Sequence, residues 1–273
     1  MVRRGRTSPP PHPDPEAGHP LRPTPIIRPP VVVYQRRGSA ALVTIDRPER
    51  RNAIDGATAQ ELLEAFERFK ADDAAVLVLT GAGEDAFCAG ADLKAIETLD
   101  PDAPGGPLGF TRLASPKPTI AAISGWCLAG GLELACWCDL RVATATARFG
   151  CSERRWGVPL IDGGTQRLPR ILGTGRALDL ILTGRTVEAP EAFSIGLVTE
   201  VVAPGEHVDR ALALAEQIAG HPQPALLSDR RAVLEGEGLP LADGLALEAR
   251  LGREQIAGAM SGARRFAERR RNS

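Results

Sequence analysis

The stretch Gly125–Asp139 reads G-W-C-L-A-G-G-L-E-L-A-C-W-C-D. The pair Gly130-Gly131 opens a segment whose Leu132, Leu134 and Ala135 suit a helix, with Glu133 in its first turn. The first N–H groups of a helix have no intrahelical partner and carry a partial positive charge. Glycine lets a ligand approach that backbone closely. The pattern therefore predicts N–H donors for a developing negative charge, with a carboxylate one turn away. A first-turn acid is also common for helix-dipole reasons alone, so the stretch must be read with its surroundings.

On either side of it lie strands. Thr119–Ser124 (T-I-A-A-I-S) and Ala75–Thr80 (A-V-L-V-L-T) are continuously apolar, as strands covered on both faces are. Leu140–Ala143 and Arg148–Gly150 are shorter strands. Val31–Tyr34 and Ala40–Asp46 are β-branched runs that turn at Arg37-Gly38 as a hairpin. A helix is predicted from about Ala57 to Lys70, where Leu62, Phe66 and Phe69 recur at helical spacing. Another is predicted to start near Asp92, which reads as its cap. Asp100–Gly109 is rich in Pro and Gly, a mobile loop or lid edge. Glu153–Gly164 is a loop. Helices follow over Arg176–Leu182 and Glu188–Ile195, then a strand over Val198–Val202. His207–Ala219, Pro224–Leu234, Ala242–Ile256 and Ala263–Arg271 make the end of the chain helical. The alternation gives an α/β core over residues 31–205 and a helical C-terminal region over residues 206–273. No internal repeat is visible.

Residues 1–30 hold ten of the 23 prolines, mixed with arginine. Disorder or extended chain is expected there. An amphipathic presequence and a translation start near Val31 are the other readings. The formal net charge of −1 supplies no global field for nucleic acid. No apolar run approaches the length of a membrane span and no signal peptide is visible. The five cysteines (Cys88, Cys127, Cys136, Cys138, Cys151) include no C-x-x-C pair and read as reduced, buried thiols of a cytoplasmic protein. Cys136 and Cys138 lack the second ligand pair that a zinc site needs. None of the four histidines falls in a motif, so acid–base chemistry falls to carboxylates. Gly81–Ala86 (G-A-G-E-D-A) imitates a dinucleotide fingerprint, but no helix is expected to open inside its glycines, which argues against NAD.

Several motifs stand in register. F-C-A-G-A-D-L (Phe87–Leu93) and A-G-G-L-E-L-A (Ala129–Ala135) resemble the two oxyanion-hole segments of the enoyl-CoA hydratase/isomerase, or crotonase, superfamily. R-P-E-R-R-N-A-I (Arg47–Ile54) resembles its loop near coenzyme A. G-G-T-Q-R-L-P-R (Gly163–Arg170) and L-T-G-R (Leu182–Arg185) resemble its downstream segments. The fit runs from about Val31 to the C-terminus. The resemblance implies a spiral of ββα units with a C-terminal helical region that builds trimers, often paired as hexamers. It implies an acyl-CoA thioester substrate, with coenzyme A as part of that substrate and no metal or redox cofactor. The thioester oxygen would meet the backbone N–H groups of Ala91 and Gly130. Ala53, Ala89, Gly90, Asp92 and Leu93 fall in the segments that would line the substrate.

Within this superfamily hydratases carry a second glutamate twenty residues after the first, and here Glu153 takes that place. The resemblance assigns Glu133 to the water and Glu153 to the α-proton. Arg154-Arg155-Trp156 is more basic and bulkier than a standard hydratase would have. A cation beside Glu153 is expected to favour its ionised form. Asp162 is an extra acid and a candidate accessory group. Trp156 either walls the acyl pocket or sits in the core. Arg50 and Arg51 either meet the CoA phosphates or are solvated; Lys94 reads as a helix-surface lysine and Asp139 as structural. The lead expectation is hydration of trans-2-enoyl-CoA. The alternatives are an enoyl-CoA isomerase or related acyl-CoA reaction, and a CoA-binding or RNA-interacting protein that uses its arginine-rich ends.

Overall fold

The structure is a computed structural model that describes residues 30–271. The readings made for residues 1–29 lie outside the described residues. In chain order the elements begin with β1 (Val32–Arg37), β2 (Ala40–Ile45), α1 (Gly56–Ala71), β3 (Val76–Gly81), β4 (Ala86–Cys88) and β5 (Thr119–Ile123). They continue with β6 (Trp126–Leu128), α2 (Gly130–Trp137), β7 (Leu140–Thr144), β8 (Arg148–Gly150), α3 (Gly164–Leu172) and α4 (Thr174–Thr183). The chain ends with β9 (Val187–Glu188), α5 (Ala189–Ser194), β10 (Glu200–Val202), α6 (His207–Ala219), α7 (Gln223–Gly236), α8 (Leu241–Glu254) and α9 (Ile256–Arg271).

Two sheets form, in the orders β1-β2-β3-β5-β7-β10 and β4-β6-β8-β9. Among the described strand pairs, β1 with β2 and β8 with β9 are antiparallel and the others parallel. The pairs β3/β4, β5/β6 and β7/β8 each send their first strand to the large sheet and their second to the small one. That repetition is the ββα spiral. It is invisible in the sequence because the second strand of each pair has three residues, too few for a two-residue period to register.

The large sheet is covered on both faces, which explains its uninterrupted apolar strands. Val43, Leu77, Leu79, Ala121 and Ile123 point into the main core with Leu62, Phe66 and Phe69 of α1. Leu42, Val76, Val78, Ile120 and Val142 face Ala211 and Ala215 of α6. Asp55 caps α1 by accepting from the Thr58 N–H at 2.8 Å. Phe66, Phe110 and Trp137 pack as a trio, Phe66 stacked on Phe110 and edge-on to Trp137, with Phe110 and Trp137 centroids 4.5 Å apart. Trp137 also donates to the Leu113 carbonyl at 2.8 Å, tying the end of α2 to the loop after β4. Asp139 accepts from Thr119 and pairs with Arg230 at 3.0 Å, a structural clamp between β5 and α7.

All five cysteines are free and buried. Burial pushes the thiols of Cys88 and Cys151 up to about 12 and that of Cys136 up to about 11. The helices α7 and α8 pack against each other and leave Val233, Leu241, Leu245 and, on α9, Met260 more than half exposed.

One expectation is corrected. No α-helix starts near Asp92; residues 92–99 form turns with a short 3-10 segment at Ile96–Thr98. Of the Pro/Gly-rich stretch, residues 100–104 are largely exposed and residues 105–111 are buried, with Pro107 and Leu108 lining the cavity described below.

Candidate active site

Three segments meet at the site: the loop after β2, the chain leaving β4, and the start of α2 after β6. The first is Arg47–Ala53. Arg47 is buried and ion-paired with Asp55 at 3.1 Å and Asp92 at 3.2 Å, and it donates to the Ala53 carbonyl. Asn52 accepts from the Arg47 N–H and donates to the carbonyls of Ala82 and Ala86. Arg51 and Asn52 both take left-handed conformations, with φ of 52° and 55°, which makes the turn tight. Asp92 is therefore no helix cap. Its carboxylate is held by a buried guanidinium that the sequence motif did not single out.

These contacts fix the second segment. Ile54 donates to the Gly90 carbonyl at 2.8 Å, and Asp92 donates to the Ile54 carbonyl at 2.7 Å. The Ile54–Ala91 bridge is parallel. In such a bridge the bonds are made by the residues on either side, so the N–H of Ala91 itself points away from Ile54. Among the described residues it meets no acceptor, and neither does the N–H of Gly130 at the start of α2. The two segments touch. A Cβ placed on Gly90, whose φ is +91°, would stand 2.8 Å from the Gly130 nitrogen, and one on Gly131 would stand 2.1 Å from the Cys88 carbonyl oxygen. Only glycine allows this contact. Ala129 precedes α2 at φ 51°, ψ −126°, a costly conformation for a residue with a Cβ, held by its N–H bond to the Gly150 carbonyl.

Glu133 is 3% exposed. Its Oε1 accepts from the N–H groups of Asp162 at 2.9 Å and Gly164 at 2.7 Å. Its Oε2 receives no hydrogen bond from the described residues. Burial raises its pKa to about 7; the two amide bonds oppose this, while Asp162 and Glu153 add to it. Glu153 sits in the 3-10 turn Ser152–Trp156, is 5% exposed, and has neither carboxylate oxygen hydrogen-bonded. Arg154 Nε lies 3.5 Å away, but its guanidinium also donates to the Val158 carbonyl. The neighbouring arginine does favour the ionised form, as expected, but burial outweighs this loose cation and the net shift for Glu153 is upward.

Glu133, Glu153, Asp162, Ala89, Ala91, Leu93, Gly130 and Trp156 all line one cavity of about 450 Å³. Its remaining wall is largely apolar, with Leu108, Leu128, Val158 and Ile161. Trp156 is 72% exposed, so it belongs to the cavity wall and not to the core. Arg50, Arg51, Ala53, Gly90 and Asp92 do not line the cavity; the two arginines and Lys94 are exposed, while Ala53 is buried beneath the loop. Leu108, Arg47 and Thr111 were missed in the sequence. Leu108 and Thr111 sit in an irregular segment without periodicity, and Arg47 reads as one more loop arginine. Among the described residues no group of three or more His, Cys, Asp or Glu side chains could hold a metal ion. No helix opens within Gly81–Ala86, where β4 begins instead.

Comparison with known proteins agrees with this geometry. The family model described as enoyl-CoA hydratase/isomerase matches residues 35–273. The chain is 41% identical over 227 residues to a probable enoyl-CoA hydratase of Rhizobium meliloti, covering 81% of this chain and 87% of that one. It is 38% identical over 224 residues to a short-chain-enoyl-CoA hydratase of Clostridium acetobutylicum, covering 80% and 86%. The crystal structure of an enoyl-CoA hydratase from Mycobacterium tuberculosis superposes with a TM-score of 0.83 at 36% identity, covering 88% of this chain and 97% of that one. Two glycine segments in contact, two buried glutamates in one cavity, and a family match over nearly the whole described chain lead to one conclusion: the chain belongs to the enoyl-CoA hydratase/isomerase, or crotonase, superfamily.

Proposed function

We propose that this chain hydrates trans-2-enoyl-CoA thioesters to 3-hydroxyacyl-CoA. The observation that carries the reading is the pairing of Glu133 and Glu153 in one cavity with two N–H groups that meet no acceptor among the described residues. The thioester oxygen accepts from Ala91 and Gly130, which stabilise the enolate as charge moves onto it. Glu133, anchored through Oε1, holds and deprotonates the attacking water. Glu153 supplies the α-proton. A buried carboxylate without hydrogen bonds is costly when ionised, so it suits the protonated state that a donor requires. In the reverse direction the two roles exchange.

The apolar wall takes the acyl chain. In this reading Arg50 and Arg51, exposed on the loop whose Arg51 carbonyl accepts from Ala89, meet the CoA phosphates. In this reading residues 31–205 carry the chemistry. Residues 206–273 assemble the chain into a trimer or hexamer through the apolar side chains exposed on α7, α8 and α9. Five free, buried thiols suit a cytoplasmic setting. No described helix is long and apolar enough to cross a membrane.

The test is the conjugated-enoyl absorbance of a short and a long trans-2-enoyl-CoA with purified protein in ¹⁸O-water. Loss of absorbance with label on the new hydroxyl is expected. Unchanged absorbance with both substrates, in protein that still binds CoA thioesters, sinks the reading. The second reading is a double-bond isomerase using Glu133 alone, favoured by a pKa near 7 that suits a proton shuttle. A 3-enoyl-CoA that gains absorbance, with no hydration of the product, would select it.

A further inference from the structure

Asp162 is 3% exposed and makes contacts that reach both halves of the site. Its N–H is one of the two donors to Glu133 Oε1. Its Oδ1 accepts from the Leu108 N–H at 3.1 Å and from the Thr111 hydroxyl. Its carbonyl accepts from Arg167 at 2.9 Å, and the same guanidinium donates to the Thr111 carbonyl. The loop it holds ends against the oxyanion segment: a Cβ placed on Gly130 would stand 2.5 Å from Leu108 Cδ1. One buried side chain thus fixes the wall beside the Gly130 N–H, while its own backbone fixes Glu133.

We propose that Asp162 is a positioning residue for hydration, setting the Glu133 carboxylate and the Leu108 wall together and adding its negative charge to the field at Glu133. This rests on the hydratase reading above. The described groups that interact with Glu133 include Asp162, Glu153 and the thiols of Cys136 and Cys151, opposed by the Arg167 cation from α3. Burial pushes Asp162 upward too, and the bonds from Thr111 and Leu108 oppose that rise. When ionised, Asp162 adds to the burial that already raises Glu133. Glu133 must be ionised to take a proton from water, so the acid limb of kcat/KM follows its pKa.

Three variants separate the two contributions. Asp162→Asn keeps an Oδ1 acceptor for Leu108 and Thr111 but removes the charge. Its acid limb moves down by about one pH unit, with kcat above that limb within about tenfold of wild type. Thr111→Val removes one anchor and no charge. Its limb stays in place while KM rises and kcat falls by about tenfold. Asp162→Ala removes both, and kcat falls by about a hundredfold as the reacting groups lose register. An Asp162→Asn limb at the wild-type position, or Thr111→Val and Asp162→Ala enzymes that lose melting temperature but keep wild-type kcat and KM, overturns the proposal. A wild-type protein that does not hydrate enoyl-CoA at all defeats the hydratase reading instead, before any variant is compared.

Discussion

Glu153→Gln lowers the rate of trans-2-enoyl-CoA hydration by about a thousandfold and leaves binding of a saturated acyl-CoA close to wild type. Glutamine matches the shape of the buried side chain but has no proton acidic enough to deliver to the α-carbon. The side chain holds no structural hydrogen bond that its loss would break. The variant should therefore fold as well as wild type, and its defect should fall in kcat. Removing a buried carboxylate whose pKa burial has raised relieves a cost present whenever the group is ionised. A raised folded-state pKa means that this cost appears as pH rises through it, so the variant's melting temperature gains most on the alkaline side. Glu133→Gln is also inactive, and the comparison decides the mechanism. Loss in both variants requires two carboxylates; loss in Glu133→Gln alone selects the single-carboxylate shuttle. Stopped-flow absorbance with an acyl-CoA binding titration makes both measurements.

Gly90→Ala lowers kcat/KM by about a hundredfold or more, the usual consequence of disabling one oxyanion-hole donor. The added methyl has nowhere to go. It would stand 2.8 Å from the Gly130 nitrogen and 3.0 Å from Ala129 Cβ, at a φ of +91° that side chains avoid. The segment must shift, and with it the direction of the Ala91 or Gly130 N–H. The strain also lowers stability by about 1–2 kcal/mol, which thermal unfolding would register separately. Wild-type kcat/KM in a folded Gly90→Ala protein would remove Ala91 and Gly130 from the chemistry. A Gly83→Ala control tests strain alone: its φ is +77°, but the nearest atom to the new methyl would be Pro48 Cβ at 3.9 Å.

What the sequence revealed, and what it hid, follows the range of the interactions. The helix at Gly130 and the strands Val76–Gly81 and Thr119–Ile123 were legible because glycine pairs and apolar runs are local signals. So was α6, whose bounds His207–Ala219 agree with its periodic pattern. The pairing of Glu133 with Glu153 was reachable only through family resemblance, since nothing in the intervening residues fixes their approach. The reading of Asp92 failed because Arg47, forty-five residues earlier, takes its carboxylate. Asp162 was visible only as an unusual acid. Its partners, Leu108 and Thr111, lie more than fifty residues away in a segment without a period. The small sheet stayed hidden because β4 and β6 have three residues each and draw their stability from neighbours that are remote in sequence.

The buried cysteines turn this core into a set of clocks. Alkylation needs both a thiolate and a path for the reagent, and burial denies both. Labelling then proceeds only as fast as each neighbourhood opens. Cys88 and Cys127 stand on β4 and β6, Cys136 on α2, and Cys151 where the chain leaves β8 for the Glu153 turn. If the Glu153 turn breathes independently, Cys151 reacts first and alone. If the small sheet and α2 open as one body, the other thiols follow together, at the single rate of that opening. Five positions along the spiral thereby date the order in which its layers come apart, without any probe being added to the chain.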